Sequence, residues 1–430
     1  MARTRRRGRR WLLVLAAVAF TALAGLLFVN LSLGDKKIDD PVASPYGVDD
    51  AQFTRTMNAL LGPPLLNGNR ATVLVNGDAI FPAMLDALRK ARRTITLEMY
   101  IYWSGSVGRQ FADVLSERAR AGVKVHVLLD GVGSGKIDDS YIDQMKQSGV
   151  EVERYNPPHF YTIGRLNNRT HRKLIVIDGM VGFTGGVGIA DQWTGDAQDP
   201  QHWRDTHFRL EGPAVAQMQA AFMDNWTEVT GNVLHGEDYF PALQPVGTHL
   251  AQIFTSSPGG ASDSMQLMYL LSIAAARKSV VLSASYFVPD NVEVKTLVEA
   301  LKRGVKVKII VPGPHIDTAI VRRASRARWG ELLAAGAEIH EYQPTMFHCK
   351  VMVVDDVWTS VGSTNFDNRS FAVNDEANLN VYDREFARLQ VRIFEQDLQR
   401  SRRITFEEWR NRPFREKLWE HATSLLGSQL

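Results

Sequence analysis

His171, Lys173 and Asp178 in the run HRKLIVID, and His348, Lys350 and Asp355 in HCKVMVVD, repeat one spacing in the two halves of a 430-residue chain. A histidine attacks or exchanges a proton near neutral pH, and a lysine beside it adds a positive charge. Together they suit an anion that must be attacked, above all a phosphate. The residues after each histidine form apolar, β-branched runs, Leu174 to Ile177 and Val351 to Val354, which read as buried strands. On a strand, side chains two apart share a face, so each histidine projects together with its lysine. Gly185-Gly186-Val187-Gly188 and Gly362-Ser363-Thr364-Asn365 follow the aspartates at matching distances, offering close backbone approach and, in the second copy, hydroxyl and amide donors. Two such copies predict one composite active site.

These residues resemble the phospholipase D superfamily, whose signature is HxKxxxxD followed by GSxN. The second copy matches throughout, whereas the first has Gly186 and Gly188 where serine and asparagine are common. The resemblance implies phosphoryl transfer through a phosphohistidine, with no metal and no cofactor. It implies phosphate contacts from Lys173, Lys350, Ser363 and Asn365, and supporting roles for Asp178 and Asp355, ion-paired away from the phosphate. A histidine that changes charge needs a partner on its second ring nitrogen. Each half offers a candidate: Glu376 in DNRSFAVNDEANL stands where the superfamily carries such an acid, and Asp205 in HWRDTHFRL is its analogue. By resemblance His171 is the nucleophile and His348 the general acid and base, and pseudo-symmetry leaves the reverse assignment open.

Within the superfamily, LEMYIY, HWRD and GSTNFDNRSFAVNDEANL are most similar to bacterial cardiolipin synthases, over residues 65–430. That likeness implies a phosphatidyltransferase acting on phospholipid at a bacterial membrane, moving a phosphatidyl group from one phosphatidylglycerol to another and releasing glycerol. A phospholipase D hydrolase and a superfamily nuclease are the alternatives. Charge disfavours the nuclease, and no nucleic-acid partner is expected. The chain carries +3, but Arg3, Arg5, Arg6, Arg7, Arg9 and Arg10 lie at its start, and the remainder has 44 basic against 47 acidic residues. A polynucleotide binder would show a basic stripe.

The elements around the motifs also repeat. Ala91-Arg92-Arg93-Thr94 before ITLEMYIY answers Ala276-Arg277-Lys278-Ser279 before VVLSASYF; Gly122-Val123-Lys124-Val125 answers Gly304-Val305-Lys306-Val307; Gly149-Val150-Glu151-Val152 answers Gly336-Ala337-Glu338-Ile339. Between them lie helical faces, Ile80, Met84, Leu85 and Leu88 in one half and Val294, Leu297, Val298 and Leu301 in the other. Alternating strands and helices predict an α/β fold. Here that means two repeated phospholipase D-like α/β/α sandwich domains, residues 65–245 and 246–430, packed face to face around the site.

The arginines of residues 1–10 precede an uncharged stretch, and Trp11 to Val29 would make a helix roughly 28 Å long, close to a bilayer core. We read 11–33 as a retained transmembrane anchor in preference to a signal segment, with the basic end cytoplasmic and the body extracytoplasmic. Residues 34–64 are expected to be a linker and short helix, with Asp35 to Asp50 an extended spacer. The apolar run from Pro157 to Thr170 is a candidate lipid entrance. Arg322, Arg323, Arg326 and Arg328 are candidate contacts for anionic headgroups, and the C-terminal stretch with Trp409, Phe414, Leu418, Trp419 and Leu425 would rest on lipid or cover the core. Cys349 points away from the histidine face and is expected in the core. The remaining histidines, including His126, His202 and His207, show no metal-ligand spacing.

Overall fold

The computed structural model describes residues 11–21, 23, 25, 38, 40–157, 168–258 and 264–424. After α1 (Ala51–Leu60), the first half runs β1 (Leu66–Val75), α2 (Asn76–Arg89), β2 (Thr94–Met99), α3 (Ser106–Arg120), β3 (Lys124–Asp130), α4 (Asp139–Gln147), β4 (Glu151–Tyr155), β5 (Lys173–Ile177), β6 (Val181–Gly185), β7 (Thr206–Glu211) and α5 (Val215–Thr230). The second half repeats this order with additions: β8 (His249–Ser256), α6 (Ser264–Ala275), β9 (Ser279–Ala284), β10 (Phe287–Val288), α7 (Asn291–Lys302), β11 (Lys306–Pro312), α8 (Ala319–Ala327), α9 (Trp329–Ala334) and β12 (Glu338–Tyr342). It continues through β13 (Lys350–Val354), β14 (Trp358–Gly362), β15 (Phe366–Asp367), α10 (Asn368–Ala372), β16 (Glu376–Tyr382), α11 (Arg384–Gln399), β17 (Ser401–Ile404), α12 (Phe406–Arg410) and α13 (Phe414–Ser424).

The strands that follow each histidine lie inside their sheet, β5 between β2 and β6, β13 between β9 and β14. Both are buried along their whole length, which is why their sequences are unbroken apolar runs and not alternating ones. Helices α2, α3 and α4 cover the outer face of the first half, with Ile80, Met84, Leu85 and Leu88 all buried; α6, α7 and α9 cover the second, with Val294 and Leu297 buried and Val298 and Leu301 packed at its margin.

Face-to-face packing describes only part of how the halves meet. Their sheets also run together edge to edge, β1 pairing antiparallel with β8 at Leu66↔Ala251 and Asn69↔His249, to give one 15-stranded sheet. On the inner side α5 and α11 share a core with both halves, in which Leu174, Val176 and Phe208 meet Ile253, Val351 and Leu379. Cys349 is buried there, as expected, and burial pushes its thiol well above the ordinary range.

The expected spacer is corrected at its C-terminal end: Val42, Tyr46 and Val48 pack on the second half's core, and the Arg277 guanidinium donates to the carbonyls of Ser44 and Tyr46. Helix α1 follows, burying Phe53 edge-on against Trp358, with ring centroids 5.3 Å apart. The N-terminal segment is helical over residues 11–21 and at 23 and 25. Among the described residues no helix is long and apolar enough to cross a membrane, and the rest of the expected anchor lies outside them. The candidate lipid entrance falls largely on residues 158–167, also outside the described residues. Arg322 and Arg326 are ion-paired with Glu341, and Arg328 donates to the Pro289 carbonyl. Trp409 packs against the core, whereas Phe414, Leu418 and Trp419 of α13 are exposed; Leu425 is outside the described residues.

Candidate active site

Each histidine stands two residues before a central strand, on backbone that is hydrogen-bonded to the opposite half. His171 N donates to the Asp375 carbonyl (2.9 Å) and Asp375 N to that of Arg169 (2.9 Å). In the same way His348 N donates to the Arg204 carbonyl (2.8 Å) and Arg204 N to that of Met346 (2.9 Å). The residue after each bridge is an acid, so each acid is delivered to the histidine of the other half. His171 Nδ1 lies 2.9 and 3.0 Å from the two oxygens of Glu376, and His348 Nδ1 lies 2.8 Å from Asp205 Oδ2. The candidate acid of each half therefore serves the other half's histidine.

Burial pushes His171 down to about 4, helped by the charges of Lys173 and Lys350 and opposed by Glu376. His348 is lowered too, by burial and by Lys350, against Asp205. Burial would raise the two acids, but His171, Lys173 and the Ser363 hydroxyl bring Glu376 down to about 2, and His348 and Lys350 bring Asp205 below its ordinary value. At neutral pH each pair is thus a neutral imidazole and a carboxylate. A carboxylate only accepts hydrogen bonds, so Nδ1 carries the proton and Nε2 keeps its lone pair.

Both histidines line one cavity of about 260 Å³, together with Lys173, Asn365, Tyr100, Trp203, Arg169 and Arg369. Lys173 Nζ donates to the His171 carbonyl (2.7 Å) and sits 5.5 Å from the Tyr100 ring centroid. Burial and the charge of Lys350 lower it to about 7. Lys350 Nζ, also lowered by burial, donates to Ser285 Oγ (2.6 Å) and the His348 carbonyl (2.9 Å). Ser285 in turn donates to Asn365 Oδ1 (2.6 Å), which leaves the amide NH2 of Asn365 as its donor. The Lys173 ammonium, the Asn365 amide and two arginines on the wall, with the Lys350 ammonium behind it against the His348 ring (3.2 Å from Nδ1), form a site for a phosphate ester around two imidazoles.

Ser363 differs from expectation. It is fully buried, and its hydroxyl donates to Glu376 Oε2 (2.5 Å) while accepting from the Ala377 amide (3.0 Å). It braces the acid and is absent from the cavity wall. Gly186 explains the departure in the first copy: a Cβ there would lie 2.2 Å from Asp205 Oδ1. A shorter acid and a missing side chain go together, and the second contact on Asp205 comes from Trp193 Nε1 (2.9 Å). At Gly188 a Cβ would come within 2.9 Å of Ile101 Cβ, so this copy has no room for a counterpart of Asn365.

Asp178 and Asp355 are clamps on backbone, a correction to the expected ion pairs. Asp178 accepts from the amides of Arg92, Arg93 and Thr94 at 2.7 to 3.1 Å, and Asp355 from Arg277, Lys278 and Ser279 at 2.7 to 2.8 Å. Both reach back from a left-handed turn, at φ 52° and 55°. The repeated Ala-Arg-basic-Thr/Ser strings are thus the amide donors that tie β2 to β5 and β9 to β13. Sequence reading missed the buried Arg204, whose guanidinium holds Asp397 in two contacts (2.8 and 2.7 Å), and Arg172, which reaches Asp224 (3.2 Å). Their partners are far away in the chain, and only the HWRD run hinted at Arg204.

Residues 84–226 and 269–398 match the family described as cardiolipin synthase, PLD-like domain. The chain is 36% identical over 370 residues to a cardiolipin synthase of Geobacillus kaustophilus, spanning 85% of this chain and 74% of that protein. It is 35% identical over 362 residues to the major cardiolipin synthase ClsA of Bacillus subtilis, spanning 84% and 75%. Among solved structures, phosphatidylserine synthase of Haemophilus influenzae superposes with a TM-score of 0.63 over 89% of this chain and all of that one, at 13% identity, a likeness of fold. With its two motif copies meeting at one cavity and relatives of this similarity along most of its length, the chain belongs to the phospholipase D-like cardiolipin synthase family.

Proposed function

We infer that the protein is a phosphatidyltransferase that joins two phosphatidylglycerol molecules into cardiolipin and releases glycerol. His171 Nε2 attacks the phosphorus of the first lipid, the bond from phosphorus to the glycerol oxygen breaks, and that oxygen takes a proton from His348. In the second step His348 recovers a proton from the glycerol hydroxyl of the acceptor. The oxygen so freed attacks phosphorus, and the bond to His171 breaks. Lys173, Lys350 and the Asn365 amide neutralise the nonbridging oxygens as charge builds in the transition state. A phosphodiester anion entering the cavity would favour the protonated forms of His348 and both lysines, offsetting the burial that lowers them. We further propose that the protein works at the bacterial membrane, held by a single N-terminal anchor with its body extracytoplasmic, since the six N-terminal arginines favour the cytoplasmic side.

The supporting observation is the crossed arrangement, in which two neutral histidines, each with its acid from the other half, face one cation-lined cavity. The test is incubation of purified protein with phosphatidylglycerol and identification of products by mass. Cardiolipin and free glycerol are expected, and both are lost in His171→Asn. Phosphatidic acid as the sole product would make the protein a hydrolase, and DNA digestion without lipid turnover would overturn the reading altogether.

A further inference from the structure

The cavity that would receive a phosphate anion also presents an exposed carboxylate, that of Asp317, in the loop between β11 and α8. In a pocket built from lysines, arginines and histidines, a carboxylate works against anion binding unless it recognises something else. The other carboxylate on the wall, Asp367, is 1% exposed and caps α10 by accepting from Ser370 N (2.8 Å). Among the described residues Asp317 has no such backbone duty. Tyr286 fixes it, the phenol lying 2.9 and 2.8 Å from its two oxygens and 3.3 Å from Thr318 Oγ1. One donor cannot saturate a carboxylate with about four acceptor positions, so both oxygens can still accept from a ligand.

The placement is specific. Tyr286 is tied to the phosphate-binding strand, its carbonyl accepting from Phe366 N (3.0 Å), one residue past Asn365. Asp317 shares the cavity wall with both histidines, and its charge acts on His348 and Lys350 as well as on Tyr100, whose ring packs edge-on against His171 with centroids 5.0 Å apart. Among the described residues the first half offers nothing comparable. After β3, Asp130 is fully buried and turned onto its own loop, accepting from the amides of Val132 (2.9 Å) and Gly133 (2.8 Å) and from Thr170 N (3.2 Å).

We propose that Asp317, positioned by Tyr286, forms a polyol subsite that accepts hydrogen bonds from the free hydroxyls of a glycerol head group; this rests on the phosphatidyltransferase reading above. In both half-reactions the group beside His348 is a glycerol, departing in the first and arriving in the second, so one subsite serves both. Water and monohydric alcohols lack the additional hydroxyls it would hold. An aminoalcohol would be drawn to the carboxylate but repelled by Lys173, Arg169 and Arg369, which makes the polyol the matching ligand.

The test uses the full-length protein with phosphatidylglycerol as donor and deuterated glycerol, 1-propanol or ethanolamine as soluble acceptor, following each phosphatidyl product by mass. Asp317→Asn and Asp317→Ala are expected to lower the ratio of glycerol to propanol transfer by about tenfold or more, as loss of a hydrogen bond to a charged acceptor predicts. Apparent KM for glycerol should rise, and Tyr286→Phe should fall between wild type and Asp317→Asn. An unchanged glycerol-to-propanol ratio would overturn the subsite, as would a selective loss of ethanolamine transfer. Wild-type protein that transfers to no alcohol would remove the transferase reading and the subsite with it.

Discussion

Asp205 and Glu376 differ by one methylene, and the surroundings of each fit that difference: Gly186 makes room for the closer acid, and Ser363 braces the longer one. Each acid fixes the tautomer that leaves Nε2 able to act. Asp205→Asn and Glu376→Gln put an amide in its place, which no longer demands a proton on Nδ1. We expect kcat to fall by about 10²- to 10⁴-fold in each, as in other histidine–carboxylate pairs, with unfolding transitions near wild type by circular dichroism. Lys173 is lowered to about 7, so its ammonium holds below that pH and is lost as pH rises through it. The profile of kcat/KM, which reports the free enzyme, should therefore fall first as His348, held below its ordinary range by burial and Lys350, loses the proton that the first step needs, and fall more steeply above about pH 7 as Lys173 loses its own. Lys173→Arg should move that limb upward, because a guanidinium stays charged; a limb that does not move would assign it to another group. At this scale the sequence displayed the motif histidines and lysines through their spacing. It did not display what Ser363 touches, because a serine beside a glycine reads equally as a ligand donor or as a brace.

At the scale of elements, Asp178 and Asp355 do the joining. Each collects three successive amides at the start of a neighbouring strand, so the motif's last member sets the register between the histidine strand and β2 or β9. Asp355→Ala strands those amides and should cost about 2–4 kcal/mol by urea denaturation, given charge-assisted bonds to a buried acceptor. Asp355→Asn, which tolerates the left-handed turn and keeps one acceptor, should cost less; equal losses would show that the one remaining oxygen contributes little and that the charge and second oxygen carry the clamp. Strands β5 and β13 were legible because burial on both faces leaves a continuous apolar run. The packing of residues 42–48 was not, since a few apolar side chains among prolines and charges show no periodicity, and their fixing bonds come from Arg277, Tyr382 and other distant residues.

For the whole molecule, the repeat announced two halves and one shared site, but not the crossing. Sequence order places Asp205 in the half of His171 and Glu376 in that of His348, and only the backbone bridges at Asp375 and Arg204 exchange them. The β1–β8 seam was equally hidden, because edge pairing is made by amides and carbonyls that every residue carries. A site exchanged in this way exists only while both halves are docked, which ties catalysis to the fold of the entire body. The most direct measurement is capture of the covalent intermediate: rapid alkaline quench of protein turning over phosphatidylglycerol, then mass mapping of its peptides. The account predicts a phosphatidyl adduct on the peptide bearing His171, retained in His348→Asn and absent from His171→Asn. An adduct that persists in His171→Asn, or cardiolipin formed with no histidine ever modified, would contradict it.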